Sequence, residues 1–204
     1  MLMTNGAHTA SSLPSVQEIK DRAWITYKAR IYAEKRMNLL RVFTNLGITN
    51  ISFFLIIYSL LFSLDIIIYT KYDNLIMIGF PIGIVILSLI SFFSNFERKA
   101  HDYRSSYLDL QHFHDDIKNS QNFVDNYYGI LRRYPNHSDF DHFRFLFIRV
   151  VWGGKTIKID GVIQNYNKFY IVLKEITYNF LILMAGLIVF LSPPILLYFR
   201  WRLG

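Results

Sequence analysis

Three short runs in the chain combine residue types that do chemistry elsewhere. Gly154-Lys155-Thr156 has the ending of a phosphate-binding loop, where a glycine-rich turn offers backbone N–H groups and a lysine reaches the outer phosphates. That loop needs an earlier glycine at the position Arg149 occupies, so the motif fails. His112-Phe113-His114-Asp115-Asp116 and His137-Ser138-Asp139-Phe140-Asp141-His142 carry imidazoles and carboxylates, the donors of zinc-type sites. His112 and Asp116 share a helix face, but neither run has an established ligand spacing, and such residues on a polar face are ordinarily solvated. Asn136-His137 reads as a turn fixed by side-chain-to-backbone bonds. There is no Ser/His/Asp nucleophile motif. With no cysteine there is no disulfide, thiolate zinc site or catalytic thiol. No cofactor or metal is expected, and the chain does not read as an enzyme.

The other candidates lie in apolar surroundings. Asn45, Thr49, Ser52, Ser59 and Ser63 fall on one side of a helix at ~100° per residue. A polar stripe in a membrane helix either lines water or joins helices. Thr49, Ser52, Ser59 and Ser63 are therefore the pore-lining candidates. Asp65 lies on the opposite side; it is either a functional intramembrane carboxylate or one that reaches the outer interface. Gly79 and Gly83, around Pro81, allow close helix packing within one chain or between protomers.

The elements that must position these residues are apolar. The chain has 204 residues, 52% of them hydrophobic, too apolar for an ordinary soluble domain of this size. Segment 48–69 holds a single Asp and no Lys or Arg, and 75–96 holds no charge. Each reaches the ~20 residues needed to cross a hydrocarbon core of ~30 Å. The gap between them suits only a tight turn, so 48–96 reads as a transmembrane hairpin. Lys20, Arg22, Lys28, Arg30, Lys35, Arg36 and Arg41 precede it, and Arg98 and Lys99 follow it. The positive-inside rule then places the N-terminus in the cytoplasm.

Residues 1–14 are small and polar and read as disordered. Ser15 with Glu18 fits a capping box opening a basic amphipathic helix over 15–47, with Ile19, Ala23, Tyr27 and Ile31 on its apolar face. That helix either lies along an anionic inner leaflet or packs on neighbours and runs directly into the membrane. After the hairpin a heptad seam continues through Phe93, Phe96, Ala100, Tyr103, Tyr107, Leu110, His114 and Ile117. It implies a helix of about 45 residues whose partner is the N-terminal helix, a second protomer or a docked enzyme. Within a cytoplasmic region over 97–177, Ser138 and Asp141 are placed to cap a helix over 139–151. Gly153-Gly154 ends that helix, and 155–161 is a short strand or linker. A third apolar segment with a basic tail occupies 178–204; it is long enough to span, although Pro193-Pro194 should interrupt it. The fold class expected is an all-α membrane protein: a hairpin, cytoplasmic helical extensions and a third C-terminal transmembrane helix. Arg132, Arg133, Arg144 and Arg149 among aromatics suggest a nucleic-acid grip, but positive-inside charge already explains most of them, so nucleic-acid binding is not expected.

These residues resemble the SLATT family, two-transmembrane proteins of bacterial conflict systems, over roughly 29–145. The parts that match are Arg30-Ile31-Tyr32-Ala33-Glu34-Lys35-Arg36, the hairpin, the helix carrying Tyr103 and Leu110, and the run from Tyr127 through Ile130, Leu131 and Tyr134 to Asn136-His137-Ser138, then Asp139 and Asp141. The third apolar segment is similar to the branch found beside reverse transcriptases. The resemblance implies an oligomeric effector of antiphage defence in the bacterial inner membrane. It would permeabilise that membrane, in abortive infection, on a nucleotide signal or at the prompting of an associated nucleotide-producing enzyme or reverse transcriptase. It makes a small nucleotide a candidate ligand, with Arg132, Arg133 and His137 as contacts. Ala100, Tyr103, Tyr107, Leu110 and Ile117 are then the oligomer or partner seam. The competing reading is a non-conducting membrane anchor or regulatory subunit for a soluble enzyme.

Overall fold

The computed structural model describes residues 14–64, 71–117, 122–159 and 161–203; Asp65 and the expected disordered start, up to residue 13, lie outside them. The fold is all-α. Helix α1 runs unbroken over Val16–Ser63, about 72 Å at ~1.5 Å per residue, so the basic helix and the first span are one element. Ser15 caps it, its hydroxyl accepting the Glu18 N–H at 3.0 Å. The Glu18 carboxylate turns to Arg22 one turn on. Helix α2, Lys71–Ser94, returns alongside α1, and α3, Phe96–Asp116, leads away from the apolar layer. Helix α4 covers Phe123–Arg133 and α5 Asp139–Leu146; a π-helical turn, Phe147–Trp152, follows. The one strand pairing among the described residues is a two-stranded antiparallel ribbon of β1, Lys158–Ile159, and β2, Val162–Ile163. Helix α6, Lys168–Leu203, completes the chain, its first turn held by the Asn167 side chain accepting the Tyr170 N–H at 3.2 Å.

Three helical stretches are long and apolar enough to cross a membrane: Val16–Ser63, Ile76–Asp116 and Lys168–Leu191. Several details differ from expectation, among them the helix expected over 139–151, which is divided into α5 and the π-helical turn. The long helix after the hairpin is divided at Asn95, which adopts the left-handed conformation (φ 47°, ψ 46°), a place asparagine tolerates better than most residues. And α6 runs straight through Pro193-Pro194. A proline removes one intrahelical donor and strains the preceding turn, but it does not end a helix whose other bonds have no water to replace them.

Helix α1 is the centre of the packing. Antiparallel α3 covers one face of it. Ile19 and Ala23 meet Leu110, Phe113 and Ile117, and nearer the membrane Ala33 and Met37 meet Ala100 and Tyr103. The side chains of Ile19, Leu110 and Ile117 are essentially solvent-free, each worth roughly 1.5–3 kcal/mol of apolar burial. Alanines at 23, 33 and 100 let the two backbones approach. The buried positions on α3 include Ala100, Tyr103, Ser106, Leu110, Phe113 and Ile117, whereas Tyr107 is only partly covered. A straight helix at 3.6 residues per turn drifts off a strict heptad, and that drift exchanges Tyr107 for Ser106 and His114 for Phe113.

Helix α6 runs parallel to α1: Ile171 shares a cluster with Ile25, and Phe190 packs edge-on to Phe43 at 5.6 Å. Two glycines make this possible. A Cβ at Gly47 would lie 2.8 Å from Val189 Cγ1, and one at Gly186 would lie 2.7 Å from the Phe43 ring. Replacing Gly186 with Val should therefore cost about 1–3 kcal/mol by overpacking. Thermal unfolding of the detergent-solubilised protein checks this, and Phe43→Ala in the same chain should recover most of the loss.

Candidate functional site

In the body outside the apolar layer the polar residues form a latch that ties the α4–α5 connection to α1. Arg36 reaches Asp141 with two parallel bonds, Nε to Oδ1 at 2.8 Å and Nη2 to Oδ2 at 3.0 Å. Asp141 is 2% exposed, and it also accepts the Ser138 backbone N–H at 3.0 Å and the Ser138 hydroxyl at 2.8 Å. The capping box read from Ser138 and Asp141 is thus also one half of an ion pair. The Tyr103 hydroxyl donates to the Asn136 carbonyl at 3.0 Å, and Tyr134 donates to Asp109 at 2.7 Å. Thr26 and Tyr127 meet through their hydroxyls at 3.3 Å. A second pair, Arg144 with Glu175 at 3.1 Å, joins α5 to α6.

Arg30 lies inside this body, 1% exposed, bonded to Ser106 of α3. Burial pushes its pKa down, and the hydroxyls of Tyr127, Tyr103 and Tyr134 oppose that shift. An arginine stays charged, so the position is costly unless these partners surround it. His137 is held at about 4, first by burial, then by His142 and Arg30, with Asp141 and Asp139 pulling the other way. His142, whose ring centroid is 6.3 Å from that of His137, is lowered too, again by burial. Both imidazoles are therefore neutral near pH 7. Above the latch, a cleft of about 400 Å³ is lined by Tyr32, Lys35, Arg36, Phe140, Arg144 and Tyr178, among others.

The ligand candidates are not brought together. Arg132 and Arg133 are exposed at the end of α4, and Arg133 borders a shallow cleft with Asp109, His112 and Asp116. His137 packs instead by its neighbour His142. In the apolar layer Thr49, Ser59 and Ser63 lie on the outer surface of the protomer and Ser52 is half-buried. The Thr49 hydroxyl bonds its own helix, at the Asn45 carbonyl. Ser59 and Ser63 border an open groove with Leu55, Ile56 and Leu60. A Cβ at Gly79 or Gly83 would meet nothing within 4 Å; the close helix approaches in this chain are at Gly47 and Gly186. Ala100, Tyr103, Leu110 and Ile117 are covered by the chain's own helices. Near the far end of the hairpin Tyr58 donates to the buried Asp73. Among the described residues no three metal-ligating side chains gather.

Sequence reading missed Arg30 and the Arg36–Asp141 pair, yet one signal was present. On α1 the buried series Ala23, Arg30, Ala33, Met37 places a cation on an apolar face at helical spacing. A charge there needs a buried partner from elsewhere in the chain.

A family model described as SMODS and SLOG-associating 2TM effector domain family 5 matches residues 14–199, and the chain belongs to this family. The match extends well beyond 29–145 and takes in most of α6, so the third apolar helix is part of the family region. No curated protein and no solved structure matches the chain.

Two outcomes follow from the latch. Asp141→Ala leaves Arg36 unpaired and removes the α5 cap; it should lower stability by about 3 kcal/mol, measured by denaturant unfolding in detergent. For His137, the unfolded imidazole (~6.5) takes up a proton before the folded one (about 4), so stability is full above pH ~6.5 and declines as pH falls toward 4. The melting temperature should drop between pH 7 and 5, and His137→Gln should shrink that drop.

Proposed function

We propose that this member of the effector family is an oligomeric inner-membrane effector of bacterial antiphage defence. It permeabilises the membrane when a nucleotide signal or an associated enzyme, such as a reverse transcriptase, acts on the latched polar body. The N-terminus and that body lie on the cytoplasmic side, in keeping with the basic residues that flank the apolar segments. The chain acts without catalysis.

The observation that carries this reading is the continuity of α1. One helix holds the latch residue Arg36 and, further along, the stripe of Thr49, Ser52, Ser59 and Ser63. A change in the body is then delivered to the span without passing through a flexible joint. The stripe faces outward from a single protomer, and one helix cannot enclose water. Several copies around an axis, brought close at outward positions such as Gly79 and Gly83, would turn it to a shared lumen. A swing from ~1% to ~99% open needs a differential of about 5.5 kcal/mol. A surface ion pair at roughly 0–1 kcal/mol cannot supply that, whereas breaking a buried pair at roughly 3–5 kcal/mol supplies most of it.

Leucine at both Ser59 and Ser63 should lower ion leakage about tenfold or more while insertion stays unchanged, because the lumen would dewet there. Dye or ion efflux from proteoliposomes, with insertion checked by membrane fractionation, gives the answer. Equal leakage in a well-inserted variant removes the stripe as the lining. A wild-type chain that never leaks, even when co-expressed with an enzyme that supplies the nucleotide signal, points to a non-conducting anchor.

A further inference from the structure

A second cleft, of about 260 Å³, lies beside the latch between α1 and the π-helical turn. Its walls include Trp24, Lys28 and Tyr32 from α1, Arg149 from the turn, and Gly153 and Lys155 from the loop that follows. The local backbone is built to hold this shape. The turn closes with the Gly153 N–H on the Ile148 carbonyl at 3.0 Å, and a Cβ at Gly153 would lie 3.0 Å from the Arg149 carbonyl oxygen. Gly154 then takes φ +58°, which glycine adopts without strain. The Lys155 N–H returns to the Arg149 carbonyl at 3.0 Å. The chain is thereby folded back so that Lys155 and Arg149 border one space. Short π-helical turns of this kind are rare and concentrate at functional sites.

The charges in this space are uncompensated. Arg149 lies over the Trp24 ring at 4.9 Å, which fixes its plane, and its Nε is buried without a hydrogen-bond partner. Among the described residues Lys28, Arg149 and Lys155 have no ion pair, and no Asp or Glu lines the cleft. The neighbouring cleft differs, since its Arg36 and Arg144 are each matched by a carboxylate. Arg149 and Lys155 border one partly enclosed volume whose wall includes the Lys28 side chain, its ammonium lying over the Tyr27 ring at 4.6 Å. An anion placed between Arg149 and Lys155 removes their mutual repulsion, and Lys28 needs only a side-chain rotation to join it.

We propose that this cleft binds the phosphate of a small soluble phosphorylated ligand, of about mononucleotide size, with the Arg149 guanidinium and the Lys155 ammonium on the phosphate, the Lys28 ammonium turning to it from the Tyr27 ring, and the Tyr32 ring against the rest. A lipid headgroup is out of reach. Lys28 and Tyr32 precede Arg41, which pairs with Glu97 where α3 leaves the apolar layer, by about 20 Å and about 14 Å along α1, more than the roughly 5–8 Å of headgroup region outside the hydrocarbon. The cleft shares Tyr32 and Ile148 with the cleft above the latch, so a ligand here bears on the same α1–α5 contact. Only that last consequence rests on the effector reading; binding itself does not.

The full-length protein in detergent micelles, titrated calorimetrically with ATP, AMP and inorganic pyrophosphate, decides the matter. At least one of the three should bind saturably. Lys155→Ala, in an exposed loop, should weaken it about tenfold and Arg149→Gln should weaken it further, while Arg132→Ala/Arg133→Ala should keep affinity within about twofold. Absence of saturable binding by all three probes overturns the proposal. So does equal weakening by the Arg132/Arg133 variant, which would mean diffuse attraction to a basic surface. The titration reads binding alone, so a failure here leaves permeabilisation standing, and a failure of permeabilisation leaves this site standing.

Discussion

A continuous helix of 48 residues carries tilt and rotation from one end toward the other, and α1 touches each of α2 to α6. In the membrane-distal body it is covered by α3, α4 and α5, and in the apolar layer by α2 and α6. The two environments impose opposite requirements on one rod. Outside the layer, burial of Ile19, Ala23 and Met37 is driven by water. Inside it lipid is as apolar as leucine, so cohesion must come from close fit, which Gly47 and Gly186 allow against Val189 and Phe43. The body's contacts with α1 set where the spans start.

The cost of Arg30 fits this division. A buried guanidinium is a poor way to add stability but a strict way to fix register, because Ser106 of α3 must sit opposite it. The Arg36–Asp141 pair does the same for α5. A structure held by a few such contacts has a small number of alternative arrangements, as the proposed signal-driven opening requires.

Much of this architecture was legible in the sequence because it rests on local rules. The Ser15 cap, the Ser138–Asp141 box, the apolar hairpin and the helical end at Gly153-Gly154 each follow from residues within a turn or two of one another. What escaped reading is non-local or depends on the solvent. Nothing near Asn95 marks it as left-handed, since asparagine is ordinary in helices as well as turns. Pro193-Pro194 would end a helix in water and does not end α6. Gly79 and Gly83 drew attention by their spacing, but the close contacts fall at Gly47 and Gly186, whose partners stand far away in the chain. Arg132, Arg133 and His137 were expected to share a nucleotide on the strength of the resemblance; the turn at Pro135 sends them to different surroundings.

The central claim is that the latched body holds the spans closed, and the most direct test loosens the latch and watches the membrane. Arg36→Ala leaves Asp141 buried without its cation. Membrane potential is recorded in a bacterium expressing wild-type or Arg36→Ala chain at equal membrane levels, with no other component of the system present. The account predicts that the variant depolarises cells at expression levels the wild type tolerates. A variant that inserts normally and leaves the potential intact would contradict it.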